Sequence, residues 1–421
     1  STHADLLFGA SRIDGSAGLF TERGGTVQEI NTGLASNTHP SLSLDGRFVA
    51  ISAADPAQPG EASGDLFVLD LATGGRSKVI DYSTQPQPDG SFLFKTPTYS
   101  AISPNNQLIA LHTILASSNN QQQGGATSVL ELFRASDGFY IDLVEIGNGS
   151  QTNLLSSEFT GITWAPDGSV FATSAELPVI LPGGAVSSAP GIVAYGLVDP
   201  VTNDWQRVAQ LSQPNNNASF GSNYQLFPAF SPSGRGIAFF KVFSPQPNNS
   251  QPSQASLIVA NANGSGATTL ATFNPGFYPL GVDWSADGST LIFSIAQQPS
   301  NGIIFSPRGD PNTAVIRQIS SSGGAISQVP GLTSGYLPSS FPLSLPPVDL
   351  ATVPLSLSPS TGGGFSLSAS GLNPQHTYLL NGGTGVTANE SSQAFTGQEI
   401  MNGIAIPQTA DRRFFRLRSS P

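Results

Sequence analysis

"WSADGSTLIFS", residues 284–294, sets two short apolar runs on either side of an Asp-Gly pair. Asp-Gly tolerates the positive φ that tight hairpin turns require, so the phrase reads as two antiparallel strands and their turn. Four other stretches repeat it: "SLSLDGRFVAIS" from Ser41, "SAISPNNQLIALH" from Ser100, "ITWAPDGSVFATS" from Ile162 and "PAFSPSGRGIAFF" from Pro228. Aligned on the turn, Asp45, Asn105, Asp167, Ser233 and Asp287 fall 60, 62, 66 and 54 residues apart. A second phrase follows each hairpin in phase: "DLFVLDLATGG" at Asp65, "SVLELFRASDG" at Ser128, "GIVAYGLVDP" at Gly191, "SLIVANANGSG" at Ser256 and "AVIRQISSSGG" at Ala314. Each supplies a third strand and a turn, and a fourth strand follows, as in "RSKVID" from Arg76. Four antiparallel strands per period, repeated radially, describe the blades of a β-propeller, in which neighbouring blades cover one another's faces.

Five complete units leave two loose ends. "ADLLFGASRIDGSAGLFTERGGTVQEI", from Ala4, matches the second, third and fourth strands of a blade but lacks the first. "LPSSFPLS", from Leu337, resembles the first-strand openings "HPSLSL" at His39 and "FPAFSP" at Phe227. A sixth blade made of about 4–32 and 337–342 closes the ring and removes a sheet edge. The expected fold is therefore all-β, a six-bladed propeller over 1–342 closed by both termini. A seventh blade would need a further, degenerate repeat. A Pro- and Ser-rich linker follows at 343–350. Residues 351–421 form a small β-sandwich-like domain with strands at "FSLSASG", "HTYLLN" and "RFFRLRSS".

The "SPDG-like turn, then I-A-F" hairpin followed by "I-x-V-x-D-x-x-G-G" resembles the PD40, or TolB-like, propeller repeat. "APDG" (Ala165 to Gly168) and "SPSG" (Ser231 to Gly234) match best, and "SPNN" at Ser103 departs from the usual glycine. The resemblance covers about residues 4–342. It implies a periplasmic or extracellular propeller that works as a protein-interaction or ligand-binding platform, and it selects no ligand. The tail, "GFSLSASGLNPQHTYLL … RRFFRLRSSP", is similar to the small β-sandwich tails of some secreted bacterial proteins.

Composition agrees with many short strands and tight turns: of 421 residues 46 are Gly and 33 Pro, and only 10% are charged against a typical quarter. The net charge of −11 reflects scarce cations, with 16 Lys and Arg in all. Nucleic-acid binding needs a basic stripe to neutralise phosphates, and the only Arg cluster lies in the last ten residues. Binding to an anionic membrane surface is disfavoured for the same reason. No apolar run approaches the ~20 residues of a spanning helix, so membrane attachment would be indirect. Cysteine is absent, which removes disulfides, thiol nucleophiles and cysteine metal sites. The start at Ser1 and the wealth of Ser, Thr, Asn and Gln suggest a mature secreted or periplasmic protein whose signal peptide is gone. A trimmed cytoplasmic chain is the other reading.

In a blade, the turns joining strands one to two and three to four emerge on one face of the ring. The connections from two to three, and from blade to blade, emerge on the other. The second set reads as long loops over 53–63, 114–127, 175–190, 241–254 and 295–313, and binding residues concentrate on long loops held by rigid scaffolds. The candidates on that face are His39, His112, Glu176, Lys241 and Tyr278. Some PD40-type propellers are uronate lyases that hold a divalent metal with several histidines there, but His39 and His112 are too few without further ligands. A pair of structural histidines is the simpler reading. Asp55, Glu61 and Asp65 are weak Ca²⁺ candidates whose spacing is not that of an EF-hand. No other cofactor is expected.

Asp45, Asp167 and Asp287 recur, but a carboxylate capping local turn amides explains them fully. A serine hydrolase is disfavoured because no G-x-S-x-G elbow is present. Arg308-Gly309-Asp310 is an isolated adhesion-type tripeptide. Trp164 and Trp284 share a repeat position and should pack between blades, whereas Trp205 stands outside the phrases and reads as more exposed. Arg412, Arg413, Arg416 and Arg418 read as a charged edge strand or as a docking strip for an acidic partner. No catalytic set emerges. The reading is a non-enzymatic scaffold with a protein partner or self-assembly; the alternative is a polysaccharide-acting lyase or hydrolase, with carbohydrate as its ligand.

Overall fold

The structure is a computed structural model. It describes residues 5–11, 17–23, 26–34, 38–55, 57, 64–82, 85–86, 92–118, 126–146, 160–180, 184, 186–217, 221–244, 254–297, 313–329, 332, 335–341, 355–359, 365–369, 377–383, 391–396, 404–406 and 414–419. The chain divides into two compact units, 1–342 and 343–421.

The first unit opens with β1 (Asp5–Ser11), β2 (Ala17–Arg23) and β3 (Thr26–Glu29). Blade one is β4 (Thr38–Leu42), β5 (Phe48–Ala53), β6 (Asp65–Asp70) and β7 (Arg76–Ile80). In blade two a short β8 (Gln85–Pro86) precedes β9 (Phe92–Ile102), β10 (Leu108–Ser118), β11 (Ala126–Arg134) and β12 (Tyr140–Ile146). Blade three is β13 (Ile162–Trp164), β14 (Val170–Ile180), β15 (Val186–Asp199) and β16 (Asp204–Gln210). Blade four again has a short leading strand, β17 (Asn215–Asn217), before β18 (Gly221–Phe230), β19 (Gly236–Ser244), β20 (Gln254–Asn261) and β21 (Thr268–Thr272). Blade five is β22 (Phe277–Trp284), β23 (Thr290–Gln297), β24 (Val315–Ser320) and β25 (Ser327–Gln328). The sixth blade is assembled from both ends of the unit: β26 (Tyr336–Phe341) pairs antiparallel with β1, in the order β26-β1-β2-β3. All six blades of the sequence reading are present, and both termini close the ring.

The repeated turn has one chemistry. Gly46, Gly168, Gly234 and Gly288 take φ between +67° and +73°, and Asn106 takes +57° in the copy that lacks glycine. Asparagine is among the few side chains that enter this region at low cost, so "SPNN" keeps the geometry. In each turn that residue's N–H donates to the carbonyl three back, as from Gly288 to Ser285 at 2.8 Å. The acids cap the turns as expected. Asp167 Oδ1 accepts the Ser169 N–H at 3.0 Å, and Asp287 Oδ1 accepts the Ser289 N–H at 3.0 Å and the Ser285 hydroxyl at 2.6 Å. These bonds hold both carboxyls below the usual carboxylate range, led by the Ser169 N–H for Asp167 and the Ser285 hydroxyl for Asp287.

Among the described residues, alternating apolar positions on the strands bury against the next blade in inter-blade clusters. Blades one and two share Ile80, Ile109 and Leu111; blades three and four share Ile192, Phe230 and Ile237. At the closure, Leu6 and Phe8 of β1 pack on Ile292, Ile316, Val329 and Leu332 of blade five's side. Each such side chain removed from water contributes about 1.5–3 kcal/mol. Gly335 turns the chain into β26 with φ +148°, and a Cβ there would lie 2.6 Å from the Phe8 ring and 2.8 Å from Ile316. Only glycine lets the final strand approach that cluster.

Trp164 and Trp284 pack between blades as expected, 7% and 6% exposed. Each indole N–H donates to the first strand of the preceding blade, Trp164 to the Ala101 carbonyl at 3.0 Å and Trp284 to the Ala229 carbonyl at 2.9 Å. Trp205 corrects its reading. It is 5% exposed and meets Trp164 edge-on at 5.5 Å, because the fourth strand β16 turns it inward over the neighbouring blade.

In the second unit the described strands form two antiparallel three-stranded sheets. β28 (Phe365–Ala369) lies between β27 (Leu355–Pro359) and β31 (Ile404–Ile406), and β29 (Thr377–Gly383) lies between β30 (Ser391–Thr396) and β32 (Phe414–Ser419). The three strands read from the sequence are β28, β29 and β32. Among the described residues no helix is long and apolar enough to cross a membrane.

Candidate functional site on the long-connection face

The face opposite the repeated turns is built of projecting hairpins. The sequence reading placed loops at 114–127 and 175–190, but pairing runs on to Ala116↔Ala126 in blade two and to Ile180↔Val186 in blade three. The connections left are 119–125 and 181–185. Runs such as "ELPVI" alternate well enough to continue the ladder, and their Pro, Asn and Ser content masked this in the sequence. Blades two and four add a second projection at their inner ends. There β8 pairs with the start of β9 (Pro86↔Phe92), and β17 pairs with the start of β18 (Asn217↔Gly221).

Beneath these hairpins, blades one to three carry buried polar groups. In β10 the pairing shifts at His112, where Tyr99↔His112 is followed by Pro97↔Thr113, so Thr98 is the extra residue of a bulge. The bulge turns the Thr98 hydroxyl onto His112 Nδ1, and the imidazole stacks on Tyr99 with centroids 6.3 Å apart. Tyr99 in turn meets Phe227 of blade four edge-on at 6.0 Å. The intervening first strand, β13, spans only Ile162–Trp164. Next to this, the Tyr82 hydroxyl donates to Glu131 Oε2 at 3.0 Å and lies 3.3 Å from the Thr113 hydroxyl, with Lys95 Nζ 5.2 Å from its ring. Burial first, and then the Glu131 charge, push the Tyr82 phenol up. Between blades two and three the Tyr195 hydroxyl donates to Glu145 Oε2 at 2.7 Å, and Arg207 grips the same carboxylate through Nε at 2.6 Å and through Nη2. Arg207 also donates to the Glu176 carbonyl at 3.3 Å.

The residues singled out from the sequence are distributed over this framework. His112 is wholly enclosed, at 0% exposure, so its ring is a core group between blades and does not face a channel mouth. His39 lies in β4, and its side chain is outside the described residues. Glu176 is half-buried in β14, and Lys241 is exposed in β19, opposite Gln225 and Ser256. Tyr278 is buried in the cluster between blades four and five. Asp55 and Asp65 do converge, but on a cation already in the chain. Lys78 Nζ lies 2.8 Å from Asp55, 3.5 Å from Asp65 and 3.0 Å from Asp81. The Lys78 hydrogen bond holds the Asp55 carboxyl low, whereas burial pushes Asp65 up. Glu61 is outside the described residues. Among the described residues no three His, Cys, Asp or Glu are grouped to hold a metal ion.

The Tyr82–Glu131 and Tyr195–Glu145–Arg207 networks were not read from the sequence. A signal existed: Glu131 interrupts the apolar third strand "SVLELFR" where its four counterparts are Phe67, Val193, Ile258 and Arg317. An acid there must find a partner.

No protein-family model matches the chain, and no curated protein sequence does. Solved structures of similar fold include a putative TolB from Agrobacterium tumefaciens (15% identity, TM-score 0.44, covering 79% of this chain and 90% of that one). TolB from Acinetobacter baumannii is similar at 14% identity and TM-score 0.46, over 80% of this chain and 65% of that one. An oligogalacturonate lyase in complex with manganese is similar at 12% identity and TM-score 0.42, over 77% and 73%. At these scores the likeness says nothing about activity. The fold itself stands on the strand pairing: the hairpin and third strand that repeat in the sequence are the unit that builds blades one to five.

Proposed function

We propose that this protein is a secreted or envelope-associated binding scaffold, periplasmic or extracellular, whose propeller presents the long-connection face to a macromolecular partner. One observation carries the reading. A ring held by apolar clusters between its blades projects paired hairpins from that face, at β8–β9, β10–β11, β14–β15 and β17–β18, while the opposite face repeats one short turn. Paired strands keep their shape without a ligand, which lowers the ordering cost of binding. Ionisable groups below the hairpins are engaged in holding blades together, as with Glu131 under Tyr82 and the half-buried Glu145 with Arg207.

The test is capture from the native source with the full chain as bait, read by native mass spectrometry. A stoichiometric partner or a defined self-assembly is expected, and free monomer in every preparation would overturn the reading. Metal analysis and an activity screen on acidic polysaccharides are the second arm. Turnover abolished by His39→Ala in a folded variant would replace the scaffold with an enzyme.

A further inference from the structure

The outer rim of the ring is not uniform. The outermost strands of blades one, four and five expose polar residues: Arg76 and Ser77 on β7, Thr268 and Thr269 on β21, Ser327 and Gln328 on β25. Blades two and three differ. Among the described residues, eight of the thirteen exposed large apolar side chains lie on the outer hairpins of these two blades. Tyr140, Leu143 and Ile146 stand on β12, Val208 on β16, and Leu197 and Val201 around the turn before β16, with Val201 88% exposed. Strict alternation from Tyr140 would turn Asp142 and Val144 outward and Leu143 inward. Bulges at Leu130/Glu131 and Leu132/Phe133 shift the register of β12 instead, and bring a third residue outward each time.

The two edges form one surface. Arg207 of β16 grips Glu145 of β12, and the Trp205 N–H donates to Asp142 Oδ2 at 2.8 Å. Both strands are the last of their sheets, so each presents an unextended edge. Asp137, Asp142, Glu145, Asp199 and Asp204 outnumber Arg134 and Arg207 on these hairpins. The surface is therefore apolar with an acidic border, and its complement is an apolar strand carrying cations.

The chain contains such a strand. Acidic and basic residues balance over 343–421, so the whole net charge of −11 belongs to 1–342. The four cations of the tail are Arg412, Arg413, Arg416 and Arg418, interleaved with Phe414, Phe415 and Leu417. Most of this segment is β32, the outermost strand of its sheet. We propose that the outer rim of blades two and three is the docking surface for β32 of a second copy of this chain. Reciprocal exchange would bury two identical contacts about a two-fold axis, the commonest way in which a small self-complementary contact is made stable.

The inference goes beyond the scaffold reading by naming a second surface and its occupant. Sedimentation velocity of the full chain over a concentration series tests it. A reversible dimer is expected, weakened at least about tenfold as salt rises from about 0.05 to about 0.5 M, because the contact pairs cations with carboxylates. Leu143→Lys with Val208→Lys places cations against the arginines, and Arg416→Glu with Arg418→Glu reverses the strand. Either pair should weaken the dimer at least about tenfold with the thermal transition of the propeller unchanged. A chain that is monomeric throughout, or a dimer indifferent to the rim pair, overturns the proposal. A monomer that still captures a different protein overturns it too, but leaves the scaffold reading standing; a monomer that captures nothing removes both.

Discussion

Two interfaces of the ring share one device and differ in everything around it. Between blades two and three, and again between blades four and five, a tryptophan ending the first strand donates its indole N–H to the preceding blade. Around Trp284 the space is hydrocarbon: Phe240, Phe273 and Phe293 meet at centroid distances of 5.4–6.1 Å. Around Trp164 the aromatic set of Trp205, Phe171 and Tyr195 runs outward into the Glu145–Arg207 pair. The repeat thus fixes how blades are spaced, and the residues outside it fix what each interface is made of. An aromatic interface gains stability from burial alone. A polar one gains less, and penalises the loss of either partner.

Breaking the hydrocarbon interface should cost most. Phe293 is 0% exposed, and Phe293→Ala should destabilise the propeller by about 3–5 kcal/mol, measured by denaturant unfolding. A loss under about 1 kcal/mol would mean that the three rings are not what holds these blades together. The shared device is probed next. Trp164→Phe and Trp284→Phe each remove one buried hydrogen bond and part of a buried ring, and should cost similar amounts of about 1–3 kcal/mol. A large difference between them would show that the surroundings, and not the shared bond, set the energy. The polar interface follows with Tyr195→Phe, which takes one donor from Glu145 while Arg207 remains; about 1 kcal/mol is expected. A double-mutant cycle with Arg207→Met should show coupling through the common carboxylate, and simple additivity would argue against a network.

These contrasts also mark what could be read in the sequence. The turns, the six blades and the two-ended closure were legible because each rests on a local pattern: a turn pair at φ > 0, an apolar alternation, and a missing first strand matched by an orphan one. Side-chain direction beyond the repeat was not. Trp205 read as exposed, yet β16 turns it onto Trp164. His112 read as a residue near the channel mouth, yet it is wholly enclosed, with the bulged Thr98 of β9 set against its ring. A bulge moves every later side chain to the other face and leaves almost no trace in composition. The bulges of β12, which turn Leu143 outward in place of Asp142 and Val144, were hidden for the same reason. Lys78 was overlooked among its acids because Asp55, Asp65 and Asp81 approach it from the 2–3 connection, the third strand and the blade exit.

The smallest effect belongs to the repeated turns, and it appears only in acid. Asp167 and Asp287 hold their protons less readily in the fold than in the unfolded chain, because turn N–H and hydroxyl groups donate to the charged form. A carboxyl lowered in this way contributes stability that is complete above the ordinary carboxylate range near pH 4 and is lost as pH falls through the lowered folded value. Asn in place of Asp keeps an oxygen that can accept the turn amides but does not titrate. Asp167→Asn combined with Asp287→Asn should therefore cost less than about 1 kcal/mol per site at pH 7, and should flatten the decline in stability between about pH 4 and pH 2. The measurement is thermal unfolding across that range against the parent chain. An unchanged acid slope would mean that the two carboxylates titrate alike in the folded and unfolded states. The turns would then owe their geometry to the positive-φ residues alone, and the acids of the repeat would add nothing to it.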